Sequence, residues 1–155
     1  MKWRAMCEAD TKKMAAKLAE YLKAGMVVLL EGQLGAGKTT FTKGLAEGLG
    51  IRSIIKSPTY TIIREYHGGK FSLYHIDLYR LNEESVEELY LDDYFNGEGI
   101  SVVEWGSVAP DFLPEEFLRI EIKNLDENSR EFTFSASGSE YEQVLMRFGQ
   151  EIATD

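Results

Sequence analysis

Hydrophobic side chains follow two different spacings along this chain, and the change of spacing separates predicted helices from predicted strands. Residues 10–24 carry apolar side chains every three to four positions, which predicts a helix capped by Asp10 or Thr11. Residues 26–30, MVVLL, form a continuous apolar run, and residues 100–104, ISVVE, are nearly so. Such runs are typical of strands that are buried on both faces of a sheet.

Alternation and turn residues predict the remaining elements. They are a strand at 2–7, a helix at 38–49, hairpin strands at 60–66 and 70–78, a short helix at 83–91 behind Asn82, hairpin strands at 118–123 and 130–135, and a closing helix at 139–152. This mixture predicts an α/β fold, a three-layer sandwich whose mixed sheet has a parallel centre and antiparallel hairpins. Because no linker-like stretch divides the sequence, we expect residues 1–155 to form a single domain.

The charge of the chain narrows the classes of function. With 17 basic and 26 acidic residues, the net charge of −9 argues against binding nucleic acid through bulk charge. Residues 1–80 carry 13 basic and 7 acidic side chains, a balance of +6, whereas residues 81–155 carry 4 and 19, a balance of −15. Either a basic face meets an anion or an acidic partner, or the fold interleaves two halves of uneven composition.

Cysteine content and hydropathy indicate the compartment. The single cysteine, Cys7, excludes a disulfide within the chain and fits a reducing environment. No apolar run approaches the ~18 residues of a membrane span, so we expect no membrane partner and a cytoplasmic protein.

The clearest chemical signal is the motif G-x-x-x-x-G-K-[ST] at residues 32–39, GQLGAGKT, between the MVVLL strand and the next helix. Glycines let the backbone turn its N–H groups inward around phosphate oxygens, and the helix N-terminus adds positive potential. Lys38 would contact the β- and γ-phosphates, the Thr39 hydroxyl can bind Mg²⁺, and Thr40 is placed for the α-phosphate. The alternative, a glycine-rich turn with a chance Lys-Thr pair, is disfavoured by this strand–turn–helix context, so the fold is expected to be P-loop NTPase-like.

A phosphate loop needs an acidic residue at the end of a neighbouring strand, which holds Mg²⁺ directly or through water. Asp77 and Glu104 both follow predicted strands. The strand before Glu104 is the more aliphatic and is predicted to be central, whereas the strand before Asp77 has the mixture expected of a half-exposed strand. Either acid could bind the metal while the other orients water, and each could instead cap a helix or pair with a base such as Arg80.

Other features have two interpretations each. Residues 57–59, Ser-Pro-Thr, form either a loop that senses the γ-phosphate or an ordinary turn into a strand. Trp105 either stacks on a base or ribose or is a packed core tryptophan. His67, His75 and Cys7 show no spacing typical of a metal site or an activated nucleophile, and we assign them neither role.

Elimination favours ATP as the nucleotide. A GTPase would carry an N-K-x-D element, and the nearest string, KNLD at 123–126, does not match. A small-molecule kinase would need an acceptor pocket and an arginine-rich lid, and the basic residues here are dispersed. A minimal P-loop ATPase that drives a partner is the leading interpretation. A nucleotide-dependent binding module without turnover and a small-molecule P-loop kinase stay open as alternatives.

Four segments, in this order and spacing, resemble one family: LLEGQLGAGKTTFTKGLAEGLG, KSPTYTIIREY, YHIDLYRL and VVEW. The chain resembles the TsaE (YjeE) family, bacterial P-loop ATPases of tRNA threonylcarbamoyladenosine biosynthesis. The resemblance implies a cytoplasmic protein that uses ATP and Mg²⁺, acts on a complex of the TsaB and TsaD proteins, and meets tRNA indirectly through that complex. TsaD would transfer the threonylcarbamoyl group to the adenosine beside the anticodon of tRNAs that read codons beginning with A.

The resemblance also implies a set of site residues. Catalytic roles are implied for Lys38, Asp77 and Glu104, with Thr39 and Glu104 as the Mg²⁺ ligands. Nucleotide contacts are implied for Thr11, Gly35, Ala36, Gly37, Lys38, Thr39, Thr40, Trp105 and Arg130. A switch-like role is implied for Ser57, Pro58 and Thr59, and Tyr79 and Arg80 share an H-x-D-x-Y-R element with Asp77. The resemblance favours Glu104 as the metal ligand and leaves Asp77 for water or for coupling to the partner.

Overall fold

The structure, a computed structural model, describes residues 1–33 and 35–154 of the chain. Its strands are β1 (Lys2–Ala5), β2 (Val27–Glu31), β3 (Ile63–Tyr66), β4 (Leu73–Asp77), β5 (Ile100–Glu104), β6 (Phe117–Asn124) and β7 (Arg130–Ser137). Its helices are α1 (Glu8–Ala19), α2 (Lys38–Gly48), α3 (Glu83–Glu87), α4 (Leu91–Phe95) and α5 (Ser139–Thr154), with short 3₁₀ turns at Gly106–Val108 and Pro110–Phe112.

The strands of the described residues form one seven-stranded sheet in the order β1-β7-β6-β2-β5-β4-β3. At its centre β6, β2, β5 and β4 run parallel, while β7, β1 and β3 pair antiparallel towards the edges. This arrangement confirms the predicted α/β fold with a parallel centre and antiparallel hairpins. Because β2 lies between β6 and β5, the fold interleaves the basic first half of the chain with the acidic second half.

Helices cover both faces of the sheet, which explains why the first four residues of β2 are apolar and buried. On β2, Val28 faces a cluster built with α1, α2 and α5, where Phe41 is fully buried. Its neighbour Leu29 faces a second cluster built with α3, α4 and the 3₁₀ turns, where Leu91 is buried.

No helix in the described part of the chain combines the length and the apolar character of a membrane-crossing segment.

The first helix differs from the prediction at both ends. It begins at Glu8 with Cys7 at the N-cap position, and it ends at Ala19. The Asp10 carboxylate accepts a hydrogen bond from the Met6 backbone N–H at 2.9 Å, so Asp10 reaches back from within the first turn instead of serving as the cap.

Two further predictions were wrong in detail. The helix expected at 83–91 ends at Glu87, and a separate short helix, α4, begins at Leu91 after Tyr90, whose φ is +52°. The Asn82 cap is confirmed, because its side chain accepts from the Ser85 N–H. The strand before Asp77 is not half-exposed. Four of the five β4 residues are buried, since β3 and β5 flank the strand and both sheet faces are covered.

Candidate functional site

A cleft of about 400 Å³ lies beside the loop that joins β2 to α2, where β5 also ends. Its walls come from the start of α1, the loop and first turn of α2, the loop before β3, the end of β5 and the β6–β7 turn. The lining residues are Cys7, Glu8, Thr11, Gly35, Gly37, Lys38, Thr39, Thr40, Ser57, Thr59, Glu104, Glu127, Asn128 and Arg130. Crevices at the carboxyl ends of parallel strands are the usual ligand sites of such sheets.

The backbone of the 32–37 loop requires glycine at two of its positions. Gly35 has a φ of +80° and Gly37 a φ of +107°, both in the left-handed region that favours glycine. Gly37 is the N-cap of α2, and no described side chain bonds to the helix there. The N–H groups of the first turn therefore remain available for an anion. Leu34, which belongs to the predicted motif, lies outside the described residues.

Lys38 is buried at the start of α2, with only 6% of its surface exposed. Its Nζ donates a hydrogen bond to the Gly32 carbonyl oxygen at 2.8 Å and lies 3.7 Å from Glu104 Oε1. It also lies 4.5 Å from the centre of the Trp105 ring. These partners stabilise an ammonium group that would be costly to bury alone, and they hold its charge at the phosphate loop.

The two candidate acids end adjacent parallel strands, and the β4–β5 register pairs Asp77 with Glu104. Both are nearly inaccessible, at 3% and 4% exposure, and Glu104 is the one that lines the cleft. Glu104 Oε2 accepts a hydrogen bond from the Nε2 of His75, a neighbour that sequence spacing did not reveal. Asp77 Oδ2 accepts from the Thr59 hydroxyl at 2.9 Å, and Oδ1 accepts from the Tyr79 backbone N–H at 2.9 Å.

The loop at residues 57–59 connects Asp77 to the cleft. The hydroxyl oxygens of Ser57 and Thr59 lie 2.8 Å apart, and both residues line the cleft. The buried Pro58 accepts the Ile62 N–H through its carbonyl at 2.6 Å. Ile62 has a φ of +70°, which costs energy in a β-branched residue. The loop is thus held against Asp77 by hydrogen bonds on one side and by a strained turn on the other.

Arg130 holds the β6–β7 turn against the phosphate loop. Its Nε donates to the Ala36 carbonyl at 3.1 Å, and its Nη1 donates to three carbonyl oxygens within residues 126–129. Inside the turn, the Asp126 carboxylate accepts the backbone N–H groups of Asn128 and residue 129, which lowers the pKa of Asp126. This ordered turn presents residues 127 and 128 to the cleft.

The cleft brings together most of the residues that the sequence assigned to a nucleotide. Those that line it are Thr11, Gly35, Gly37, Lys38, Thr39, Thr40, Glu104 and Arg130. Ala36 is buried, and Asp77 reaches the cleft only through Thr59. The Trp105 ring packs against Lys38 and lies 4.9 Å from the Tyr79 ring centre, so it contacts a residue of the cleft lining without lining the cleft itself.

Arg80, which could have paired with an acid, lies elsewhere. Its guanidinium carbon is 4.2 Å from the ring centre of Tyr60, whose own ring is largely exposed. Tyr79 contributes its backbone N–H to Asp77 and its ring to Trp105. At and after the end of β4, the side chains of Asp77, Tyr79 and Arg80 therefore contact three different parts of the structure.

Sequence reasoning missed several residues of the site. Cys7, Glu8, Glu127 and Asn128 line the cleft because α1 and the β6–β7 turn fold over the phosphate loop, which no local pattern reveals. The bond from His75 to Glu104 joins residues 29 positions apart. The one signal for it was strand alternation, which places His75 on the same face of β4 as Asp77.

The donor set fits a magnesium ion that is bound together with phosphates. In residues 1–33 and 35–154, no group of three or more His, Cys, Asp or Glu side chains is placed to hold a metal by itself. The hydroxyl of Thr39 and the carboxylate of Glu104 are hard oxygen donors in one cleft. Mg²⁺ characteristically takes one or two such protein ligands and completes its shell with phosphate oxygens and water.

Known proteins resemble this chain over most of its length. The family model for "Threonylcarbamoyl adenosine biosynthesis protein TsaE" matches residues 6–132. The tRNA threonylcarbamoyladenosine biosynthesis protein TsaE of Bacillus subtilis is 51% identical over 144 residues, covering 93% of this chain and 90% of that protein. Its counterpart from Aquifex aeolicus is 46% identical over 79% of this chain and 86% of its own length. The crystal structure of YdiB from Bacillus subtilis superimposes with a TM-score of 0.87 at 45% identity, covering 97% of this chain and 95% of that one. The chain belongs to the TsaE family.

Proposed function

We propose that this protein binds and hydrolyses ATP with Mg²⁺ and that its ATP cycle serves the threonylcarbamoylation of tRNA. The observation that carries the proposal is the convergence of Lys38, the amino end of α2 and Glu104 in one cleft. A lysine and free backbone N–H groups suit phosphates, and a buried carboxylate beside them suits the metal that accompanies a nucleoside triphosphate.

Each cleft residue has a part in this proposal. The N–H groups at the start of α2 would hold the phosphates, and Lys38 Nζ would exchange the Gly32 carbonyl for phosphate oxygens. Thr39 and Glu104 would hold Mg²⁺, which when bound neutralises the charge that develops on the phosphates. Thr11 and Arg130, from α1 and β7, would contact the nucleoside.

Asp77 would act through the 57–59 loop and not by direct contact with the nucleotide. Its two oxygens hold Thr59 and the Tyr79 backbone, so its position is linked to the loop that carries Ser57 into the cleft. We therefore assign Asp77 to orienting the attacking water through this loop or to coupling hydrolysis to a partner.

The partner in this proposal is a complex of TsaB and TsaD, which would carry the tRNA. The names of the relatives support the pathway, since they are tRNA threonylcarbamoyladenosine biosynthesis proteins. Because bacterial tRNA is in the cytoplasm, a protein that serves its modification would be located there. Lys12, Lys13 and Lys17 give α1 a basic surface that could meet the complex, and their reversal to Glu should weaken complex formation and its dependence on salt.

Reconstitution tests the function. A cognate TsaB–TsaD pair with its threonylcarbamoyl donor and tRNA is assayed for modified tRNA with the wild-type chain, with Lys38→Ala and with no addition. We expect repeated turnovers of modification only with the wild-type chain and ATP. Equal modification in all three reactions would contradict the proposed function. A phosphorylated small molecule would instead indicate a kinase, and stimulation by ATP without phosphate release would indicate a binding module.

A further inference from the structure

His75 is a buried imidazole to which the proposed ATP reaction gives no task. Its side chain is 0% exposed, and its Nδ1 has no hydrogen-bond partner among the described residues. A buried polar atom without a partner destabilises a fold, so the Nδ1 of His75 is not explained by the packing of the core alone. When a native core retains such an atom, its side chain often has a functional role.

The sheet register explains how His75 reaches Glu104. On adjacent parallel strands, His75 pairs with Val102, and Asp77 pairs with Glu104. Since alternate residues of a strand share a face, His75 and Glu104 lie on the same face as diagonal neighbours. The contact between His75 Nε2 and Glu104 Oε2 is therefore fixed by two central strands and does not depend on a loop.

This contact gives the two oxygens of Glu104 different surroundings. A carboxylate oxygen accepts, so the proton in the contact belongs to His75 Nε2 and Oε2 is occupied. The other oxygen, Oε1, lies 3.7 Å from Lys38 Nζ at the phosphate loop. A carboxylate held at one oxygen cannot rotate freely, so Oε1 stays beside Lys38, which lines the cleft together with Glu104.

We propose that His75 is a positioning residue that fixes Glu104 so that Oε1 meets the metal–nucleotide complex. The inference rests on the proposed function, in which Glu104 binds Mg²⁺. Loss of a hydrogen-bond partner that orients a metal ligand typically weakens metal affinity by about 10–100-fold, which sets the size of the effect to be measured.

Three substitutions separate positioning from packing. His75→Gln places an amide N–H near the level of Nε2, whereas His75→Asn carries its amide only to the level of Nδ1 and cannot reach Glu104. His75→Leu fills the buried site with apolar atoms and removes the unpartnered nitrogen. Ser101→Ala is the matched control, since Ser101 is also buried on β5, does not line the cleft, and has an Oγ without a partner in the described part of the chain.

The readout is metal binding and not activity alone. Mn²⁺ is titrated by electron paramagnetic resonance into protein that holds a non-hydrolysable ATP analogue, and the affinity for that analogue is measured separately in EDTA. We expect Asn and Leu to weaken Mn²⁺ affinity by about 10-fold or more. Gln and the Ser101→Ala control should stay close to the wild type. In EDTA, all variants should bind the analogue alike. The Leu variant should remain folded but melt below the wild-type temperature, because the buried Glu104 Oε2 loses its donor.

Two results would overturn the inference, and they are distinguishable. Wild-type Mn²⁺ affinity in the folded Leu variant, or equal weakening in Gln and Asn, would show that His75 serves packing only while leaving the proposed ATPase intact. A wild-type protein whose affinity for the analogue does not change between EDTA and Mn²⁺ would remove the metal site itself, and with it both proposals.

Discussion

Asp77 and Glu104 are register partners at the ends of β4 and β5, yet their carboxylates are held by different groups. Glu104 is bonded to His75 and lies beside Lys38, while Asp77 is bonded to Thr59 and to the backbone at residue 79. Two acids side by side on one sheet face thus point into two different networks. Their substitution should have different consequences.

Replacing Asp77 with Ala should separate binding from turnover. Because Asp77 does not line the cleft, ATP should still bind with an affinity close to that of the wild type. Phosphate release should fall by roughly 10²-fold or more, the scale for losing one positioned catalytic group. Calorimetric ATP titration and a phosphate-release assay measure the two effects. Lys38→Ala is the control that should abolish binding itself, and equal loss of binding in both variants would contradict the separate roles of the two residues.

Thr59 should matter through its hydroxyl. Thr59→Val keeps the shape but removes the donor to Asp77 Oδ2, leaving a carboxylate that is only 3% exposed without that partner. We expect a loss of about 1–2 kcal/mol in the free energy of unfolding and slower phosphate release. Thr59→Ser retains the hydroxyl and should restore both properties. Urea denaturation measures stability, and identical curves for the Val and Ser variants would show that the bond contributes nothing.

The surroundings of two helical glycines predict opposite effects for the same Gly→Ala substitution. At Gly44, an added Cβ would lie 2.5 Å from the Lys12 carbonyl oxygen, so Gly44→Ala should force the helices apart and cost about 1–3 kcal/mol. At Gly149 the Cβ would meet only the sulfur of the flexible Met1 side chain, and Ala should stabilise α5 by up to about 1 kcal/mol. Thermal melts of the two variants test this, and a stabilised Gly44→Ala protein would contradict the close approach of α1 and α2.

Acidification should weaken the β6–β7 turn through Asp126. Backbone N–H bonds from residues 128 and 129 lower the pKa of Asp126 below its usual 3.8. A depressed folded-state pKa stabilises the protein above the unfolded value, and this contribution is lost as the pH falls through the folded one. Between pH 5 and about pH 3, wild-type stability should therefore fall more than that of Asp126→Asn, which keeps an acceptor oxygen but does not titrate. Urea denaturation at both pH values tests the difference, and parallel losses would show that the turn bonds do not favour the ionised carboxylate.

Local patterns were sufficient to predict the centre of this molecule. The MVVLL run, the GQLGAGKT loop and the ISVVE run each carry their signal within a few residues, and they became β2, the phosphate loop and β5. The parallel centre of the sheet follows from the burial of these strands on both faces. Lys38 and Glu104, the two charged groups at the cleft floor, lie at the ends of these short patterns and could therefore be predicted from them.

The walls of the cleft could not be predicted in the same way. Glu8 and Asn128 reach the cleft because α1 and the β6–β7 turn fold over the phosphate loop, a consequence of tertiary packing. The His75 contact depends on β4 and β5 being neighbours, although 22 residues separate these strands in the sequence. The composition of residues 83–91 also looked continuously helical, yet α3 ends at Glu87, and Tyr90 has a positive φ before α4 begins.

Phosphate release from Mg-ATP by the purified chain, alone and with a cognate TsaB–TsaD pair, tests the central claim most directly. A P-loop enzyme can gain its competent geometry from a partner, as GTPases do. We predict slow release by the chain alone and a several-fold increase with the pair, without a phosphorylated acceptor. Confirmed ATP binding with no release, alone or with the pair, would contradict the account and leave a protein that uses ATP only to hold a complex together.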